Sequence, residues 1–129
     1  MKIYTGYFAQ LKKYDAKNMF PVSIARFSPK WYEGFNEIAL SPSVDLLNAY
    51  KNKQITEVQY KERYIAELDS HKDIVQMVFE TLNKIVGENQ DLILLCYEKP
   101  SDFCHRHILA EYLYDKFNLE VEEYNLQES

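Results

Sequence analysis

The chain has 129 residues, of which 47% are hydrophobic, and its formal net charge is −5 at neutral pH. This length predicts a single domain, residues 1–129, with enough apolar residues for a core of its own. The acidic balance argues against non-specific nucleic-acid binding, which depends on neutralising phosphates with Lys and Arg.

The sequence also carries no signal for export or membrane insertion. No apolar run approaches the ~20 residues that span a bilayer, and no N-terminal basic and apolar segment indicates a signal peptide. We therefore expect a cytoplasmic protein with no membrane contact, in which both cysteines are separate reduced thiols. The abundance of Lys, Asn, Ile and Tyr favours an A/T-rich bacterial or phage genome.

The N-terminal part predicts two strands, residues 2–6 and 20–27, separated by a loop or short helix over 7–14. Pro29 and Gly34 then break the chain into a loop. Residues 27–35 carry four aromatic side chains and follow the carboxyl end of a strand. We expect this loop to form one wall of a pocket.

The middle of the chain predicts three helices by its apolar periodicity. Ser41 is the expected N-cap of the first helix, and Thr56 begins the second. Ser70 is the expected cap of the third, which Gly87 ends.

The last part predicts a strand over 91–97, a helix from Ser101 or Asp102 to Phe117, and a strand over 119–124. The run from Leu92 to Leu95 has no polar alternation, which is typical of a central strand buried on both faces. Alternating acids in 119–124 favour a sheet edge. Strands separated by helices predict a mostly parallel sheet, hence an α/β three-layer sandwich.

Reactive side chains are concentrated at the junction between this buried strand and the helix. Both cysteines, two of the three histidines and an arginine lie within residues 96–107. Ligands of open α/β sheets bind outside the carboxyl ends of the strands. Helix amides and the helix dipole favour anions at the same place.

The motif Cys96-x-Glu98, followed by Cys104-His105-Arg106 at a helix start, resembles the signature of the DUF488 family, whose function is uncharacterised. The segment Ile3–Tyr7 is similar to the first strand of the family and to its Thr-containing turn. The resemblance implies a Rossmann-like three-layer fold.

A weaker similarity covers residues 22–26 of the second predicted strand. This strand ends in Asp-x-Arg in many members of the family; Arg26 matches the arginine, and Ile24 stands at the position of the acid. Any role of that acid is therefore absent here or supplied by another residue.

Our leading functional hypothesis is a domain that binds a small anionic ligand, a nucleotide or another phosphate-bearing molecule, at the C-terminal edge of the sheet. Arg26, Arg106 and the helix amides would hold the anion. The other expected ligand contacts and stacking rings are Thr5, Tyr7, Trp31, Cys96, Tyr97 and Tyr4.

Two alternatives stay open. The first is an enzyme in which Cys104 acts as nucleophile or redox thiol, His105 as its base and Glu98 as an orienting acid. The second is a protein-interaction module, such as a phage-encoded inhibitor, that docks through the aromatic loop. Structural roles are open as well, since free cysteines are commonly buried as small hydrophobic residues and Arg106 has acids nearby to pair with.

The sequence predicts no metal site and no cofactor. Cys96, Cys104, His105 and His107 are ligand types for zinc. Adjacent residues on a helix, however, diverge by about 100°, and no paired C-x-x-C motif is present. A glycine-rich dinucleotide motif or P-loop is also lacking. A homodimer is neither indicated nor excluded.

Overall fold

A computed structural model of the protein describes residues 1–98 and 103–124. Its described strands form one five-stranded sheet in the order β3-β2-β4-β1-β5, and every pairing is parallel. The strands are β1 Ile3–Tyr7, β2 Met19–Ser23, β3 Phe35–Asn36, β4 Asp91–Cys96 and β5 Val121–Glu123. The predicted α/β class with a mostly parallel sheet is confirmed.

Helices cover both faces of this sheet. They are α1 Leu11–Ala16, α2 Val44–Lys51, α3 Glu57–Ser70, α4 Lys72–Val86 and α5 His105–Phe117, with short 3-10 turns at Phe8–Gln10 and Ile38–Leu40. Helices α2 to α5 build the larger core on one face. The 3-10 turn at Phe8 and helix α1 build the smaller core on the other. Among the described residues, no helix is long and apolar enough to cross a membrane.

The central strand is β4, as its unbroken apolar run predicts. It pairs with β1 on one side and β2 on the other. Leu92 and Leu94 belong to the larger core, whereas Ile93 and Leu95 belong to the smaller one. All four side chains have no exposed surface, because helices and loops cover both faces of the strand.

Several element boundaries differ from those expected. Strand β2 ends at Ser23, so Arg26 lies in the following loop, although the Ile24 amide still donates to the Leu95 carbonyl (3.0 Å). The two-residue strand β3 was not predicted, since it is a short part of the aromatic loop.

Helix starts differ as well. Helix α2 is capped by Ser43, whose hydroxyl accepts from the Leu46 amide at 3.1 Å, and the expected cap Ser41 instead bonds the Ile38 carbonyl. Thr56 caps α3, as predicted. His71, rather than Ser70, precedes α4, and Gly87 ends that helix as predicted.

Helix α5 begins one residue after Cys104, which is its N-cap. The predicted caps Ser101 and Asp102 lie outside the described residues. The backbone of Cys104 is extended (φ −151°, ψ 145°). Cys104 is therefore not part of the regular helix, and its side chain does not follow helical spacing.

The carboxyl ends of β2 and β4 form a topological switch point. From β2 the chain leads to the edge strand β3, and from β4 it leads through α5 to β5 at the opposite edge. Neighbouring connections that leave in opposite directions open a crevice between the strand ends, where open α/β sheets bind ligands.

Candidate functional site

A cleft of about 220 Å³ lies at this switch point. The loop after β2 contributes Arg26 and Phe27, and the segment after β4 contributes Tyr97 and Glu98. The cap and first residue of α5 contribute Cys104 and His105. The structure thus brings together five of the predicted site residues, namely Arg26, Tyr97, Glu98, Cys104 and His105.

One wall of the cleft is aromatic. The rings of Tyr50, Tyr60 and Phe103 contact one another with centroids 5.1–5.4 Å apart. Burial raises the pKa of the Tyr50 and Tyr60 phenols, so both remain neutral hydroxyl groups at physiological pH. Sequence analysis missed these three residues, which come from α2, α3 and the segment before α5.

Tyr97 connects the two loops that border the cleft. Its hydroxyl donates to the Phe27 carbonyl at 2.6 Å, and its ring lies against Phe8 with centroids 5.1 Å apart. This bond links the loop after β2 to the segment after β4.

His105 is held in one orientation by the loop after β2. Its Nε2 bonds the Ile24 carbonyl oxygen at 2.8 Å. Because a carbonyl only accepts, Nε2 carries the proton and Nδ1 is the free acceptor nitrogen. Nδ1 lies 3.9 Å from Cys104 Sγ. Ile24 therefore orients the ring, a role that we had expected Glu98 to fill.

The environment of His105 keeps the imidazole neutral. Burial lowers its pKa from 6.5 to about 4; the Ile24 hydrogen bond opposes this effect, and the positive charge of Arg106 adds to it. A general base works best with a pKa near the operating pH. His105 is thus a weak proton acceptor at neutral pH but is already in the form that binds metals.

The structure joins the two cysteines through their sulfur atoms, with Cα atoms 7.5 Å apart. This contradicts our expectation of two separate thiols. The two residues approach because β4 ends at Cys96 and the extended cap residue Cys104 returns to the same place. Both are buried, with 0% and 4% of their surfaces exposed.

The two sulfurs and an imidazole nitrogen of His105 lie within 4.8 Å of one another. The argument that adjacent residues diverge on a helix is therefore wrong for Cys104 and His105, since Cys104 precedes the helix. These three side chains offer two sulfur ligands and one nitrogen ligand for a metal ion.

Arg106 is fully buried, although the anion-binding role that we had expected for it would place it near solvent. Its Nη1 donates to Cys96 Sγ at 2.9 Å and to the Glu98 carbonyl at 2.6 Å. Nε and Nη2 donate to the two carboxylate oxygens of Glu123 at 3.0 and 3.1 Å. Most of its donors are therefore engaged within the protein, and its charge is paired.

Thr5 and Tyr7 belong to this buried network and do not line the cleft. The Thr5 hydroxyl donates to Glu123 at 2.7 Å, and the Arg106 guanidinium lies 5.9 Å from the centre of the Tyr7 ring. Glu123 was missed by sequence analysis. The alternating acids of the last predicted strand were the sequence feature that could have indicated Glu123. The pairing of β5 with β1 places this residue in register beside Thr5.

The remaining predicted contacts lie elsewhere. Trp31 is 60% exposed and lines a different hollow, together with Phe8 and Lys12. Tyr4 packs against Tyr124 on the side of the smaller core. The aromatic loop therefore supplies Phe27, but not Trp31, to the cleft.

Comparison with protein families agrees with the motif. A family model described as "DUF488-N3a: Active DUF488-N3 subclade" matches residues 17–116. Neither the curated proteins nor the solved structures gave a match. The matched segment includes β2, β4, the two cysteines and most of α5. On this match, the chain belongs to the DUF488 family, whose function is uncharacterised.

Proposed function

We propose that the cleft binds a small anionic ligand, a nucleotide or a related phosphate-bearing molecule. The observation that carries this proposal is the combination, at the switch point of the sheet, of an aromatic wall with the guanidinium of Arg26. Ligand sites are typically concave and mostly apolar, with a few polar groups that fix orientation.

Arg26 is the cation best suited to an anion. It is half-buried, and its Nε donates to the Pro42 carbonyl at 3.1 Å. Its two terminal nitrogens make no hydrogen bond to the described residues. A guanidinium held in this way matches the oxygen geometry of phosphate. Arg106 is less suitable, because Glu123 already pairs its charge.

The aromatic wall suits a planar group. Tyr50, Tyr60 and Phe103 offer ring surfaces. The neutral Tyr60 hydroxyl also offers a donor, whereas that of Tyr50 already donates to Glu57 at 3.5 Å. The volume of about 220 Å³ is below the roughly 300–1,000 Å³ of many ligand pockets. The cleft therefore favours a small molecule, or one part of a larger ligand, such as the base or the phosphate of a nucleotide.

The enzymatic alternative remains a prediction. The 3.9 Å approach of Cys104 Sγ to His105 Nδ1 favours it, whereas the lowered pKa of His105 argues against that residue as a base. The interaction-module alternative also remains a prediction.

Calorimetric titration with adenosine monophosphate, adenosine and inorganic phosphate tests the proposal. We expect the monophosphate to bind more tightly than adenosine or phosphate alone. Losing a charge-assisted hydrogen bond costs about 1.5–3 kcal/mol, so Arg26→Ala should weaken binding roughly ten- to a hundredfold. Arg63→Ala, at an exposed position on α3, is the matched control and should bind normally. Absence of binding by a panel of nucleotides, or equal affinity in Arg26→Ala, would refute the proposal.

A further inference from the structure

We propose that the reduced chain binds one zinc ion through Cys96 Sγ, Cys104 Sγ and His105 Nδ1, at the inner wall of the cleft. This site does not depend on the small-molecule ligand proposed above. It concerns residues whose types suit zinc but whose spacing in the sequence had predicted no metal site.

The ligand set is of the type that zinc prefers. Two thiolates and one imidazole are borderline-soft donors, and two sulfurs with one nitrogen form a known zinc combination. The three atoms lie within 4.8 Å of one another although they come from the end of β4 and the start of α5.

The spacing of the cysteine backbones also favours a metal. The Cα atoms are 7.5 Å apart, whereas those of a disulfide are usually about 4.4–6.8 Å apart. A thiol reductant supplies the two electrons and two protons that turn the joined sulfurs into two thiols, and zinc then displaces the thiol protons to solvent. The 7.5 Å spacing leaves backbone room for the separated sulfurs to lie around the ion. Neither Cys96 nor Cys104 needs to leave the core for this.

The surrounding hydrogen bonds are those expected around metal ligands. A metal-bound histidine commonly donates its second N–H to a backbone carbonyl, and the Nε2–Ile24 bond of 2.8 Å is of this kind. Arg106 Nη1 donates to Cys96 Sγ at 2.9 Å, so this sulfur too has an outer hydrogen-bond partner. Glu123 in turn fixes Arg106 from β5.

Three protein ligands leave one position of a tetrahedral ion open. Cys104 and His105 both line the cleft, so this open position would face the space in which we place the anionic ligand. A water molecule or a ligand oxygen can complete the coordination there.

The experiment uses the full chain purified under reducing conditions. Metal-free protein is titrated with Zn²⁺ against a chelator of known affinity, and with Co²⁺ while the absorption spectrum is followed. We expect one equivalent of metal per chain and an intense sulfur-to-cobalt charge-transfer band. Bound zinc should also protect both thiols from alkylation until a chelator is added.

Cys96→Ser, Cys104→Ser and His105→Ala should each weaken zinc binding by more than about a hundredfold, since loss of an outer-shell partner alone costs 10–100-fold. His71→Ala is the matched control, because His71 Nε2 also bonds a backbone carbonyl, that of Ala39, at 2.8 Å. Circular dichroism checks that each variant is folded. If a variant does not fold, the cobalt spectrum of the unmutated chain still shows whether sulfur binds the metal.

A reduced chain that takes up no zinc and gives no cobalt–sulfur band would overturn the proposal. Equal zinc affinity in the ligand variants and in His71→Ala would do the same. Titration of the metal-free protein with adenosine monophosphate keeps the two proposals separate, because either kind of binding can fail while the other persists.

Discussion

The guanidinium of Arg106 and the carboxylate of Glu123 form a two-point ion pair between the first turn of α5 and the edge strand β5. Nε–Oε1 and Nη2–Oε2 are 3.0 and 3.1 Å apart. The arginine has no exposed surface, and the glutamate side chain is 24% exposed. This pair holds Arg106 in place to donate to Cys96, the last residue of β4.

Glu123→Gln should lower the free energy of unfolding by about 3–5 kcal/mol, because it leaves a buried guanidinium without its counter-charge. Arg106→Ala should be destabilising too, since it removes a fully buried side chain together with its hydrogen bonds. This expectation replaces the small effect that a solvent-facing arginine would give. Urea unfolding monitored by circular dichroism measures both changes.

The exposed pair Lys61–Glu111 supplies the control for this measurement. Its atoms lie 2.8 Å apart, but the two side chains are 47% and 63% exposed, and exposed pairs contribute little. Glu111→Gln should therefore leave the unfolding curve almost unchanged. If Glu111→Gln and Glu123→Gln had equal effects, burial of the Arg106 pair would not be what stabilises the fold.

Tyr97→Phe should weaken the binding of adenosine monophosphate while changing stability little. The variant loses only the hydroxyl bond to the Phe27 carbonyl, and one such bond contributes about 0.5–1.5 kcal/mol. Without it, the loop after β2 is no longer linked to the segment after β4. Calorimetric titration and thermal melting separate the two effects, with the exposed Tyr114→Phe as control. Unchanged affinity in Tyr97→Phe would mean that this link does not shape the cleft.

Gly6→Ala should destabilise the protein by about 1–3 kcal/mol, the usual effect of overpacking a core. A methyl group at Gly6 would lie 2.5 Å from the hydroxyl oxygen of Tyr14, whose side chain is fully buried. The same methyl group would lie 2.7 and 2.9 Å from two ring carbons of Tyr14. Combining Gly6→Ala with Tyr14→Leu removes the whole ring, so the double variant should lose less stability than the sum of the single variants. Strict additivity in chemical unfolding would contradict the proposed clash.

Stability should fall at alkaline pH through Tyr32. Burial raises its pKa from 10.0 to about 12, so the unfolded chain loses this proton at a lower pH than the folded protein does. The contribution of Tyr32 to the free energy of unfolding is complete below pH 10 and is lost as the pH rises towards 12. The loss amounts to about 3 kcal/mol. Tyr32→Phe lacks this titration.

Unfolding free energies measured across this pH range should therefore fall less steeply for Tyr32→Phe than for the unmutated protein. Burial also raises the pKa of Tyr64. Because both proteins contain Tyr64, both keep part of the slope. Identical slopes for Tyr32→Phe and the unmutated protein would exclude this contribution of Tyr32.

The order of the elements was predictable because apolar periodicity is a local property. The run from Leu92 to Leu95 indicated the central strand, and the acids of the last segment indicated the edge. The Cys-x-Glu and Cys-His-Arg motif was likewise sufficient to indicate the family. Helix caps and the two-residue strand were less predictable, since each depends on one or two residues.

The chemistry of the site was less predictable because it depends on contacts between distant elements. Arg106 is buried only because β5 places Glu123 beside it. Cys104 meets Cys96 and His105 only because its backbone is extended before the helix begins. Trp31 follows the expected strand but lies beside Phe8, because the loop turns towards the smaller core.

The position of Glu123 makes the edge of the sheet and the candidate site one cooperative unit. A three-residue edge strand would ordinarily open locally at small cost. Detaching β5 here would leave the Arg106 cation without its counter-charge and Thr5 without its acceptor. The amides of β5 that bond to β1 are therefore expected to exchange with solvent more slowly than those of an ordinary three-residue edge strand, and an intact edge is a condition for an intact site.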